Sequence, residues 1–480
     1  MTAPQKQWIL NAFAMHTPGH LNPGAWKSPV DQGYRYKDIK FWVDLAKKLE
    51  DAKFHAIFFA DVLGGYDVYG GPKNLVPTLK AAAQLPVNDP LYAVSAMAAA
   101  TENIAFGVTA STTYDKPYLH ARRFSTVDHL SGGRVGWNIV TSYLDSAARN
   151  LDLETQIPHD ERYLIADEFL EVSYKLWNGS WRDDAVVKTN GIFTDPDGVR
   201  EINHKGKYFN VPGPHISEPS LQRTPLLFQA GTSTAGKKFA AKHAEVVFVG
   251  GLDPVLVRKS VDDLRKQVAE YGRDPRSIKI IASFSVIIGA TDEEAEQKEK
   301  ELLKYADLDG ALALFGGWTG YDLATYADDE DFRFVKEAAI QSFVTHWSKY
   351  VPGSEGKVWN KRTIAERISI GGLGGAAIGG PEKVADELAR WAEIADLDGF
   401  NLSYTTVPGS FDDIIKYLLP ELRKRGLFWD DYAVPGGTAR ENFYGIKGQS
   451  YLPDDHPGSK YLWKAGEEQP DLNSADNISK

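Results

Sequence analysis

Eight short β-rich runs separated by amphipathic helical patterns predict an α/β fold, a (β/α)8 TIM barrel with large insertions. The length of 480 residues exceeds the roughly 250 of a plain barrel, so the chain needs either two domains or one barrel with large insertions. A composition of 43% hydrophobic and 25% charged residues is that of a globular protein with ample apolar surface to bury, and does not choose between the two.

The predicted strands are 8–15, 56–61, 104–112, 134–142, 225–231, 245–250, 278–289 and 399–405, each rich in β-branched and aromatic residues and bounded by turn formers. Between the first two, Ile39, Trp42, Leu45 and Leu49 recur at helical spacing and give a helix with one face for a sheet. After the fourth strand, Ile165, Phe169, Val172 and Leu176 form the stripe of another helix. The last unit repeats the pattern with Ile414, Ile415, Leu418 and Leu422, and Gly426 closes it as a C-cap.

Two stretches break the rhythm. Residues near 180–224, rich in Gly, Pro and Asp, read as a loop-rich insertion. Residues near 290–380 follow the C-terminal end of the seventh strand, the barrel face that carries chemistry, and read as a lid. Its closing run GGLGGAAIGG reads as a flexible glycine loop, since no βαβ context supports a dinucleotide fingerprint there. The expected domain is a barrel over residues 1–426, followed by a C-terminal extension over 427–480 that is partly disordered, above all in its final EEQPDLNSADNISK.

The formal charge of −11 lacks the basic excess that nucleic-acid binding needs. With no apolar run long enough to span a bilayer and no export leader, the sequence reads as cytoplasmic, with no membrane partner. The absence of cysteine excludes disulfides, iron–sulfur clusters and thiolate nucleophiles.

PLLFQAGTSTAGKKFAAKHAE reads as strand, Gly/Ser/Thr turn and helix, an arrangement that aims backbone N–H groups and hydroxyls at an anion. It falls short of a Walker A loop because Lys238 stands where a Ser or Thr must bind Mg²⁺; Ser233 is either an anion ligand or an ordinary helix cap. His159 and Tyr163, four apart, share one face of a helix's first turn and either bind an anion or merely line the surface. Asp61 ends the second strand and reads equally as a functional carboxylate or a cap. His16 and His20 lack a third ligand, so no metal site is expected. The chain is short of catalytic machinery of its own, and a cofactor would supply it.

Taken together, NAFAMHTPGHLNPGAW, FFADVLGGYDVYGG, QLPVNDPLYAVSAM, HDERYLIADEFLEVSYKLW, NHKGKYFNVPGP, FQAGTSTAGKKFAA and GGPEKVADELARWAEIADLDGFNLSYTT resemble the bacterial-luciferase-like FMN-dependent monooxygenases. The likeness spans about residues 8–425 and is to the nitrilotriacetate, dibenzothiophene-sulfone and dimethyl sulfide monooxygenase branch, with YDVY, QLPVNDP and ALFGGWTG most like its dimethyl sulfide arm. The resemblance implies reduced FMN as cosubstrate, O₂ as oxidant through a flavin C4a-hydroperoxide, a separate NAD(P)H:flavin reductase, and a homodimer or homotetramer. It carries FMN contacts onto Asp61, Thr109, Ser142, His159, Tyr163, Thr232, Ser233 and Thr234, and a role at the oxygen or substrate onto His20. Phe13, Phe59, Trp137, Phe315 and Trp318 are the expected pocket wall. The implied substrate is a small thioether-like organosulfur compound, oxygenated with C–S cleavage; oxygenation at the nitrogen of an amine or aminopolycarboxylate, and a non-catalytic flavin-binding protein, are the alternatives.

Overall fold

The computed structural model of the protein describes residues 6–231, 233–351, 353–354 and 356–473. Its main sheet contains β1 (Ile9–Met15), β2 (Ala56–Ala60), β3 (Ala105–Ser111), β4 (Val135–Val140), β5 (Leu226–Gln229), β6 (Val246–Val249), β7 (Lys279–Ile288), β8 (Gly375–Gly379) and β9 (Gly399–Ser403). The order β1-β2-β3-β4-β5-β6-β7-β9 closes on itself through parallel pairings of β6 with β7 and of β9 with β1, so the eight predicted strands form the barrel. Successive side chains alternate inward and outward. Ile9, Phe58, Ala105, Phe228, Phe248 and Ile281 fill the interior, while Leu10, Ile57, Phe59, Trp137 and Phe400 pack outward among the helices.

The helix Ile39–Asp51 shows how the outer layer forms. Asp38 caps it by accepting from the Lys40 N–H, and Trp42, Leu45, Ala46 and Leu49 are buried on one face. In the helix His159–Tyr174, Phe169 and Val172 are fully buried, as is Leu176 just beyond its end, whereas Ile165 is only half-buried; Ala166 and Leu170 complete the packed face. Gly426 adopts a positive φ of 71°, as a C-cap glycine does.

GGLGGAAIGG is not simply a loop, because its second half is β8, parallel to the outer half of the ten-residue β7. The glycines serve close approach. A Cβ on Gly375 would lie 2.5 Å from the Phe284 ring. The rest of 290–380 is largely helical, and its core residues Leu312, Phe315, Trp347 and Trp359 form one cluster with Tyr66, Tyr69 and Ala83 after β2 and with Leu144 and Ala147 after β4. The insertion therefore sits over loops that follow C-terminal strand ends. Residues 180–224 contain two short hairpins, Val186–Thr189 with Ile192–Thr194 and His204–Lys205 with Asn210–Val211.

The segment after 426 is ordered by burial rather than by periodicity. Ala439 and Phe443 join the interior cluster and stop the N-terminal end of the barrel, while Trp429 stacks on His55 at 3.7 Å. Arg440 pairs with Glu245, both fully buried. Leu472 is buried and Asn473 accepts from Lys175 at 3.3 Å, so the expected disorder of the final residues does not extend to these two; residues 474–480 lie outside the described residues. No helix among the described residues is long and apolar enough to cross a membrane.

Candidate active site

Two groups of the named residues lie at the C-terminal edge of the neighbouring strands β2 to β5. In the first, Thr109 is buried on β3, donates to the Phe59 carbonyl at 2.7 Å and accepts from Asn138 Nδ2 at 2.8 Å, leaving Asn138 Oδ1 without a partner. One turn of the pleat further, Ser111 and Ser142 share a 2.8 Å hydrogen bond, and Ser142 holds a positive φ of 56° as the chain leaves β4. Asp61 follows β2, its carboxylate accepting only from the Val62 N–H at 2.9 Å. Burial pushes its pKa up to about 7, and the nearby charge of Asp89 adds to the rise.

That shift has a sign that can be read in stability. A carboxyl whose folded pKa is raised stabilises the fold below its unfolded value of about 4, and this contribution is lost as pH rises through the folded value near 7. The melting-temperature advantage of Asp61→Asn over wild type is therefore expected to widen between about pH 4 and pH 7 and then level off. A constant difference across that range would show that the carboxyl is not perturbed.

The second group is built on a tight turn. Ser233 caps the helix Thr234–His243, accepting from the Gly236 N–H at 3.0 Å, so its own hydroxyl hydrogen stays free to donate. Gly231 and Gly236 press together, and a Cβ on either would lie 2.7 or 2.8 Å from the Tyr163 hydroxyl. Tyr163 thus reaches this turn from a neighbouring helix, with the His159 ring 5.2 Å from its own. Thr234 is the first residue of the capped helix; Thr232 lies outside the described residues.

Sequence reasoning missed Arg162, in the same helical turn as His159 and Tyr163. It is 7% exposed, its Nε meets no acceptor among the described residues, and burial lowers its pKa. A largely buried guanidinium with an unpaired N–H can receive an anion. The free Ser233 hydroxyl, the helix N-terminus and the glycine turn fit a phosphate, with Arg162 next to Tyr163 on the helix that reaches them, and the orphaned Asn138 Oδ1 fits a polar ring edge.

His20 is 1% exposed, with its ring edge-on to Phe13 at 4.5 Å and near Tyr404 at 5.7 Å. Its Nδ1 has no partner, and burial pushes the ring down to about 3, so it stays neutral at ordinary pH. The main chain is clamped on both sides. Asn22 Oδ1 accepts from the His20 N–H at 3.1 Å, and Gln84 Nε2 donates to the His20 carbonyl at 2.8 Å. Gln84 Oε1 accepts from Tyr66, whose hydroxyl also meets Tyr143 at 3.0 Å and accepts from Trp318 Nε1 at 3.2 Å. Sequence reasoning named Trp318 but not Gln84, Tyr66 or Tyr143, although GGYDVYGG and the residue after Ser142 were in view.

Phe13 faces the interior and stays half-buried. Three expected wall residues are elsewhere. Phe59 lies outside the barrel against Trp42 and His16, Trp137 lies outside among His120, Phe124 and Phe169, and Phe315 is the core of the insertion against Phe343 and Trp347. Strand alternation decides the first two, since Phe58 rather than Phe59 points inward. Among the described residues no cluster of His, Asp and Glu could hold a metal.

Residues 15–397 match the luciferase-like monooxygenase family. The chain is 48% identical to the dimethyl-sulfide monooxygenase of Hyphomicrobium sulfonivorans, over 95% of this chain and 94% of that protein. It is also 48% identical to the long-chain alkane monooxygenase of Geobacillus thermodenitrificans, over 95% and 98%. Among solved structures, DmoA from Hyphomicrobium sulfonivorans superposes with a TM-score of 0.90 at 46% identity, covering 99% of both chains. A riboflavin lyase crystallised with modified FMN superposes at 0.84 with 33% identity, over 95% of this chain and 100% of that one. On these matches and this barrel, the chain belongs to the bacterial luciferase-like monooxygenase family and is a monooxygenase.

Proposed function

We propose that this chain is the oxygenating component of a two-component system, taking reduced FMN from a separate flavin reductase and transferring one atom of O₂ to a small, uncharged organosulfur substrate. The observation that carries the flavin reading is the Ser233–Gly236 turn with its free hydroxyl and with Tyr163 against it, the largely buried Arg162 being next to Tyr163 on the same helix. These residues and His159 would hold the phosphate, while Asp61, Thr109 and Ser142 would face the ring system. FMN, when bound, supplies the oxygen-activating chemistry. Phe13 and Trp318 keep water from the reacting atoms, and the neutral His20 can exchange a hydrogen bond there without adding charge. Relatives support a partnered system, one of them being component A of a nitrilotriacetate monooxygenase. A homodimer or homotetramer acting in the cytoplasm completes the reading.

The two relatives at 48% identity act, by name, on dimethyl sulfide and on long-chain alkanes, so likeness alone does not select a substrate. The wall does more. Phe13, Tyr66, Tyr143 and Trp318 include no cation to receive a polycarboxylate, and the joined hydroxyls of Tyr66 and Tyr143 put a polar point there that a purely alkyl substrate cannot use. The test supplies the purified chain with flavin reductase, NADH, FMN and ¹⁸O₂, and offers dimethyl sulfide, hexadecane and nitrilotriacetate separately. One ¹⁸O atom is expected in a product of dimethyl sulfide. Oxidation of hexadecane or nitrilotriacetate in its place overturns the substrate, and flavin binding with no oxygen transfer to any substrate supports a non-catalytic flavin protein.

A hydrogen bond to a charged group contributes about 1.5–3 kcal/mol, so Ser233→Ala is expected to weaken reduced-FMN binding by about ten- to a hundredfold. Anaerobic titration measures it. Riboflavin, which lacks the phosphate, should bind both forms alike; an equal loss for riboflavin would move the phosphate elsewhere.

A further inference from the structure

Inside the barrel, three polar residues lie side by side across adjacent strands. Asn11 on β1 is in register with Asn401 on β9, and Asn401 with Ser283 on β7. Alternation sends all three inward, between Ile9 and Phe13 on β1 and between Ile281 and Ser285 on β7. Asn11 and Asn401 are 0% and 1% exposed, and all four of their side-chain amide atoms lack a hydrogen-bond partner. Ser283 keeps partial exposure although its strand is inside the protein and the end of the barrel below is stopped by Phe443. Its exposure is therefore to an interior space that admits a water-sized sphere.

Four orphaned amide atoms beside such a space are not a stable dry arrangement, since each buried polar group without a partner costs about 1–3 kcal/mol. Two amides and a hydroxyl offer donors and acceptors in mixed order with no net charge, which suits water and not a simple ion. We propose that Asn11, Asn401 and Ser283 form a built internal water site on the floor of the reaction cavity, holding ordered water that bridges the three side chains. The Ser285–Ser403 hydroxyl pair lies two residues nearer the mouth on the same two strands.

A crystal structure fine enough to place solvent tests this directly, with ordered density expected within hydrogen-bond distance of both amides and of Ser283. An empty recess, amides turned to bond each other, an anomalous peak there after rubidium soaking, or a flavin atom seated there in FMN-loaded crystals would overturn it. Thermal unfolding gives an independent reading of opposite sign for the two cases. If water satisfies the amides, Asn401→Leu breaks the cluster and lowers the Tm by about 2 °C or more. If the amides are dry and orphaned, the same substitution removes a burden and raises the Tm, and the proposal fails.

Discussion

Arg440→Met is expected to destabilise the protein by about 3–5 kcal/mol, because it leaves Glu245 charged and fully buried with its partner gone. Glu245 receives Arg440 Nε at 2.7 Å and Nη2 at 2.9 Å, and its remaining capacity takes the Leu227 N–H at 3.0 Å. Arg440 in turn donates to the carbonyls of Thr224, Pro225 and Ser450, so one guanidinium ties the C-terminal segment to the starts of β5 and β6. Chemical denaturation measures the loss. The double variant Glu245→Gln/Arg440→Met should recover part of it, since it removes the stranded charge along with the pair. A single variant as stable as wild type would mean that water reaches Glu245.

Arg162→Met is expected to do little to the flavin-free protein and more to the flavin complex. Removing a largely buried guanidinium whose Nε has no acceptor among the described residues should leave the flavin-free chain about as stable as wild type. If that guanidinium awaits a phosphate, its loss removes a charge-assisted contact, and reduced-FMN affinity should fall by about a hundredfold or more. Tm with and without FMN separates the two effects. A destabilised chain with unchanged flavin affinity would make Arg162 a packing residue.

The barrel strands were legible because runs such as AIFFA and VGWNIV bury both faces and end in turn formers. β8 was not, since GAAIG carries one β-branched residue and its Gly375 answers to the Phe284 ring, a contact no local pattern announces. The turn at Gly231–Gly236 and its approach to Tyr163 agree with the helix-start reading, which follows from local chemistry. Arg162 escaped notice because HDERY reads as a solvated charged turn, and only the packed structure shows that this one charge is inside. Phe59 and Trp137 were misplaced because their strands bury both faces, so apolar character alone does not tell which side chains point inward.

The stopper formed by Ala439, Arg440 and Phe443 has a consequence for biosynthesis. These residues leave the ribosome after every strand of the barrel, yet they supply the final layer of its interior and the counter-charge of Glu245. A nascent chain halted before residue 439 therefore carries a finished set of strands around a wet, unneutralised end, and its quality-control fate should be degradation rather than release as a working shorter enzyme.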